Sequence, residues 1–174
     1  AGIPGEDPVA AAAELAGYDP AVLDVGRVGG ATRALFLNVA TAGFGAEVSA
    51  EASEELKDVL GRVSYLVAGL TSAGELQPRE ATIRTPDFER RVAFYLLAVG
   101  NARCAGGGVP VCPDADPRDG LFDVTIVPEG TIGATLAEVL RSGLEGVGEA
   151  GMRFRAPWVE VRSDEELQVN LDGE

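Results

Sequence analysis

From residue 76 onward the hydrophobic period of this chain is two. The stretch "LQPREATIRT" (76–85) alternates apolar and polar residues, and "RRVAFYLLAVGNA" (90–102) is a longer apolar run. Alternation suits a strand with one face on a core, and a continuous run suits a strand covered on both faces. Pro86-Asp87 marks the turn between them. "GLFDVTIVP" (120–128), "RFRAPWVEVRS" (153–163) and "ELQVNLDGE" (166–174) read as further strands, the last two joined at "SDE". So much period-two sequence requires antiparallel sheet as the centre of the fold.

Helical signals interrupt this pattern. "EDPVAAAAELAG" (6–17) reads as a short helix with Asp7 as N-cap, Pro8 at the first helical position and Gly17 after the end. "SEELKDVLGRVSYLVAGLTSAG" (53–74) repeats apolar residues at Leu56, Val59, Leu60, Val63, Leu66, Val67 and Leu70, an amphipathic helix bending near Gly61. "TIGATLAEVLRSG" (131–143) is a third, capped by Thr131. Between the first two, apolar runs at 22–28 and 33–40 flank Gly29-Gly30 and predict a hairpin. With 174 residues, 46% hydrophobic and no linker or repeat, the chain reads as one α+β domain (1–174), mainly β.

Composition removes several chemistries. There is no histidine, so Ser-His-Asp and Cys-His catalysis are out. Acid–base work falls to Asp, Glu, Tyr, Cys or the single lysine, Lys57. Cys104 and Cys112 are too few for a disulfide scaffold or a four-ligand zinc site. The net charge of −14 argues against nucleic acid and against docking on anionic lipid through a basic patch. Such an acid excess is compatible with work at high salt, where repulsion is screened. The chain has no membrane-spanning run and no basic leader, which points to a cytoplasmic protein.

Two segments carry candidate chemistry. In "GNARCAGGGVPVCPDADPRDGLFDV" (100–124), Gly106, Gly107 and Gly108 allow close backbone approach of a ligand or simply a tight turn. Asp114, Asp116 and Asp119 follow on a proline-stiffened loop, which suits a hard divalent cation or a polar Asx turn. The second is the closing "LDGE" (171–174), on its own a favoured hairpin turn.

Read in order, these stretches resemble the C-terminal domain of the bacterial diacylglycerol kinase and YegS-like lipid kinase family. "LDVGRVGG", "FLNVATAGFGAEV", "GRVSYLVAGL", the 100–124 block and the closing "VNLDGE" each match a family block at the expected place. The resemblance implies the β-sandwich half of a two-domain enzyme related to the NAD kinases. Such an enzyme moves the γ-phosphoryl of ATP onto a lipid hydroxyl, most simply diacylglycerol to phosphatidic acid. The ATP-binding N-terminal domain, with its G-G-D-G-T motif, is absent from this chain, so the chain alone is expected to be inactive. Carried over residue by residue, Glu174 matches the general base and Asp172 is its supporting neighbour, whose charge could raise the base's pKa. Asp116, Asp119 and Leu121 match the Mg²⁺ positions, Leu121 through its carbonyl, and Gly106–Gly108 would line the cleft. The implied partners are ATP, a lipid met transiently at the inner membrane face and the N-terminal domain, with room for a homodimer. An NAD kinase-related enzyme and a non-catalytic divalent-cation-binding sandwich are the alternatives.

Overall fold

The structure is a computed structural model and describes residues 8–15, 17–30, 33–43, 77–105, 109–130 and 151–173. The helices expected over 53–74 and 131–143, the Asp7 cap, Gly106–Gly108 and Glu174 lie outside the described residues.

The first helix, α1 (Pro8–Leu15), begins on its proline, and Gly17 donates its N–H to the Glu14 carbonyl at 2.9 Å just past its end. Proline has no amide hydrogen to lose there, so it costs nothing at a first helical position. The strands β1 (Gly26–Val28) and β2 (Ala34–Phe36) form the expected hairpin as a separate two-stranded sheet. The apolar run at 33–40 is not one strand, however. It breaks at Leu37-Asn38, and β3 (Val39–Gly43) joins the main sheet instead.

That sheet is built around β5 (Glu89–Gly100), with every ladder antiparallel. On one edge β4 (Arg79–Arg84) pairs with residues 89–94 and β3 with residues 96–100. On the other edge residues 94–100 pair with β8 (Phe122–Pro128), which pairs in turn with β9 (Met152–Ala156). β10 (Glu160–Arg162) extends the sheet beyond β4, and β11 (Val169–Leu171) extends it beyond β3. A short ribbon of β6 (Cys104–Ala105) and β7 (Val109–Pro110) stands apart.

A bulge between Phe94 and Leu96 explains how β5 serves both stretches of its edge. Val92 and Phe94 face one core, and beyond the bulge Leu97 and Val99 face that same core. One extra residue has switched the parity that strict alternation would keep. This core also holds Ala81, Ile83, Val124 and Ile126, while Leu96, Ala98, Val39, Val127, Val111, Cys112 and Ala115 form a second core on the opposite face. Burying a side chain such as Phe94 or Ile83 stabilises the fold by about 1.5–3 kcal/mol. Both faces are covered, as the continuous run predicts.

The expected strand 153–163 is two strands. It stops after Ala156 because Pro157 offers no amide to a ladder, and β9 and β10 pair with different partners. The fold class is otherwise as anticipated: mainly β and antiparallel.

Candidate functional site

Three segments meet at one end of β3: the 37–39 bend, the Asp-rich loop through Asp24, and the closing turn. After β11 the backbone turns through Asp172 (φ 56°) and Gly173 (φ 104°). Two successive positive φ angles are what a type I′ turn requires, and Asp-Gly tolerates them. The Asn170 side-chain oxygen accepts the Gly173 N–H at 2.9 Å, and Asp172 donates its own N–H to the Val39 carbonyl at 3.0 Å.

The Asp172 carboxylate is fully engaged. One oxygen accepts the Leu37 N–H at 2.7 Å, and the other accepts those of Asn38 at 2.7 Å and Val39 at 3.0 Å. These are the amides of the segment where the expected strand breaks. The carboxylate has taken the donors that a continuous strand would have offered to a ladder.

Asn101 carries the network onward. It is 3% exposed, and its side-chain amide donates to the carbonyls of Leu37 at 2.8 Å and Asp24 at 2.9 Å. The Asn38 carbonyl accepts the N–H groups of Asn101 and Ala102. Asp24 donates its N–H to the Pro117 carbonyl at 2.8 Å, and its carboxylate accepts the Gly120 N–H at 2.9 Å. A continuous run of hydrogen bonds therefore joins the closing turn to the Asp-rich loop. Asp24 and Asn101 were not among the site residues expected from sequence. Their only signal was their place within the "LDVG" and "VGN" blocks.

In the loop, Asp119 is tied to its neighbours. Its N–H donates to the Asp116 carbonyl at 3.4 Å, one carboxylate oxygen accepts the Leu121 N–H at 3.0 Å, and the other is paired with Arg155. Arg155 also holds Asp123 at 3.1 Å. Burial, as the largest influence, raises the Asp123 pKa above the usual carboxylate value against the pull of Arg155. The Asp116 side chain lies 3.9 Å from Arg118, and Asp114 lies 3.9 Å from Arg153. Cys104 and Cys112 are free thiols; burial pushes Cys112 up to about 11, so it is protonated at neutral pH and is no base.

The loop fits a hard divalent cation in the kind of donor it offers. Among the described residues no three His, Cys, Asp or Glu side chains form a metal cluster. A cation here would therefore need the Asp119 carboxylate together with the Asp116 and Leu121 carbonyls, all hard oxygens. Asp119 and Asp123 share the single cation Arg155, which leaves negative charge over at the loop. Asp116 would contribute its backbone, since its side chain is 55% exposed beside Arg118.

A cavity of about 820 Å³ lies on the first core's side of the sheet, walled by Phe36, Leu97, Val99, Phe122 and Val161 and reaching Gly173. No helix among the described residues is long and apolar enough to cross a membrane.

Sheet, turn and loop together make a mainly antiparallel β domain of the β-sandwich-like class. The chain belongs to the YegS C-terminal NAD kinase beta sandwich-like domain family, whose model matches residues 38–174. It is 45% identical over 176 residues to a Pseudomonas syringae protein named "probable lipid kinase YegS-like", covering 100% of this chain and 55% of that protein. A protein of the same name from Pseudomonas aeruginosa is 45% identical over 179 residues, with 100% and 56% covered. A diacylglycerol kinase structure from Bacillus anthracis superposes with a TM-score of 0.71 at 22% identity, covering 99% of this chain and 55% of that one, and shows the shared fold. The chain thus spans little more than half the length of these relatives.

Proposed function

We propose that this chain belongs to the C-terminal, lipid- and metal-side domain of an ATP-dependent lipid kinase, with diacylglycerol converted to phosphatidic acid as the favoured reaction. The observation that carries the proposal is the hydrogen-bonded run from the closing turn to the Asp-rich loop. It ties together the two segments to which the family resemblance assigns the base and the metal. The names of the relatives support the same reading.

In this reaction the lipid hydroxyl oxygen bonds to the γ-phosphorus, the bond to the β-phosphate oxygen breaks, and ADP leaves. Glu174 accepts the hydroxyl proton, as a carboxylate beside the attacking oxygen can do. ATP is held mainly by an N-terminal domain. The exposed residues Val25, Leu35 and Leu37, the last bonded through its N–H to Asp172, suit an interface with it. Mg²⁺ would be held by the Asp119 carboxylate and the Asp116 and Leu121 carbonyls. Bound there, it would neutralise the loop's excess charge and stiffen it. The cavity reaching Gly173 has mixed walls, with Thr41, Glu165 and Gln168 beside its apolar residues, and the apolar stretch of Phe36, Leu97, Val99 and Phe122 offers cover for the lipid's hydrocarbon part.

The test is phosphoryl transfer by the intact protein, with Glu174→Gln beside the wild type and with diacylglycerol, other lipids and NAD as acceptors. We expect phosphatidic acid from the wild type and a kcat about 10²–10⁴-fold lower in the variant, with unchanged melting. Transfer to NAD and to no lipid would overturn the lipid kinase, and full activity in Glu174→Gln would remove that residue from the mechanism.

A further inference from the structure

Asp172 is the only non-glycine residue at positive φ among the described residues. For an L-residue that conformation costs about 1–2 kcal/mol and persists only where surrounding contacts over-determine it. Here they do. The side chain accepts three consecutive backbone N–H groups, the Asp172 N–H is bonded to Val39, and the Gly173 N–H is bonded to Asn170. Successive amides that converge on one carboxylate form an anion-binding nest, and bonds of 2.7 Å are in the charge-assisted range. The nest belongs to a bend 133 to 135 residues away in sequence, so it anchors the turn after β11 to the start of β3.

We propose that Asp172 is a positioning residue, a latch that fixes the direction in which the chain leaves β11 and so where residue 174 stands. This deepens the kinase assignment and rests on Glu174 being its base. A neighbouring carboxylate free in solution would act on Glu174 by charge and raise its pKa. Asp172 instead turns its carboxylate onto three amides of the 37–39 bend, so the contribution proposed for it is geometric. Misplacing a reacting group by about 1 Å can cost about 10²-fold in rate.

Two variants separate latch from backbone. Asp172→Gly keeps the positive φ and deletes the carboxylate. Asp172→Asn keeps the shape and tolerates the φ, but turns an amino group toward one of the nest's N–H donors. In the intact protein both should lower kcat about 10²-fold with little change in KM for ATP, and the acid limb of the pH–rate profile should stay at its wild-type position. On the 174-residue chain, hydrogen exchange at Leu37, Asn38 and Val39 should quicken at least ~10-fold in Asp172→Gly, with the amides of β5 still protected. Wild-type kcat in both variants overturns the proposal. So does an acid limb that moves to lower pH in Asp172→Asn, because Asp172 would then act by charge. If Glu174→Gln proves active, the base assignment fails, and the exchange measurement alone decides the latch: unchanged protection of the three amides refutes it.

Discussion

Asn101 is the residue that links the 37–39 bend, held by Asp172, to the Asp24 segment. Its side chain donates to two carbonyls from segments 64 and 77 residues away, and its own N–H bonds to Asn38. Alanine would leave both carbonyls short of a donor in a place that is 3% exposed to solvent. We expect Asn101→Ala to cost about 2–3 kcal/mol in urea unfolding. Asn101→Asp should cost more at neutral pH, because it replaces a shared donor with a charge facing two carbonyl oxygens. If aspartate is tolerated as well as alanine, the amide is not the clamp described. Sequence showed Asn101 only as one letter of a block, because its partners are remote and are backbone atoms, which leave no mark in sequence pattern. Asp172 shows the same gap. Its presence in the closing turn was legible, whereas its nest required the fold.

Among the elements, those with a strong local pattern were legible: β4 stands where alternation puts it, β5 and β8 where their apolar stretches put them, and α1 between Pro8 and Gly17. The two expected strands that split did so for reasons outside local pattern. The 33–40 run broke because a distant carboxylate binds its amides. The 153–163 run broke at Pro157, a residue visible in sequence whose consequence depends on which strands wait on either side. The bulge in β5 was equally hidden, since an inserted residue looks like any other member of an apolar run. Its neighbour Gly43, at the end of β3, offers a test. Gly43 has φ +83°, and a Cβ there would lie 2.6 Å from the Tyr95 carbonyl oxygen. Gly43→Ala should therefore destabilise by about 2–3 kcal/mol, roughly 5–10 °C in Tm for a domain of this size. Gly29→Ala is the control, since an added Cβ meets nothing within 4 Å there. Equal melting of the two variants would mean that β3 and the bulge do not approach as described.

On the scale of the whole molecule, charge is the dominant unspent term. The chain has 28 acidic residues against 14 basic ones, a net charge of −14. Many arginines of the described region are already committed to carboxylates: Arg91 to Glu80 and Asp164, Arg84 to Glu89 and Glu160, Arg79 to Glu165, Arg155 to Asp119 and Asp123. Added salt acts on two opposed quantities. It weakens these exposed pairs, each worth about 0–1 kcal/mol, and it screens the repulsion among the excess carboxylates. Raising the ionic strength from 0.01 M to 1 M shortens the Debye length from about 30 Å to about 3 Å. Repulsion among surface charges a protein's width apart is then removed, while a pair at 2.7 Å such as Arg91–Glu80 remains inside the screening length. Screening of repulsion should win, and Tm should rise by several degrees between low salt and about 1 M KCl, equivalent to about 1–2 kcal/mol. A Tm that is flat or falls over that range would show that the arginine pairs outweigh the repulsion, and would end the case for a protein suited to high salt.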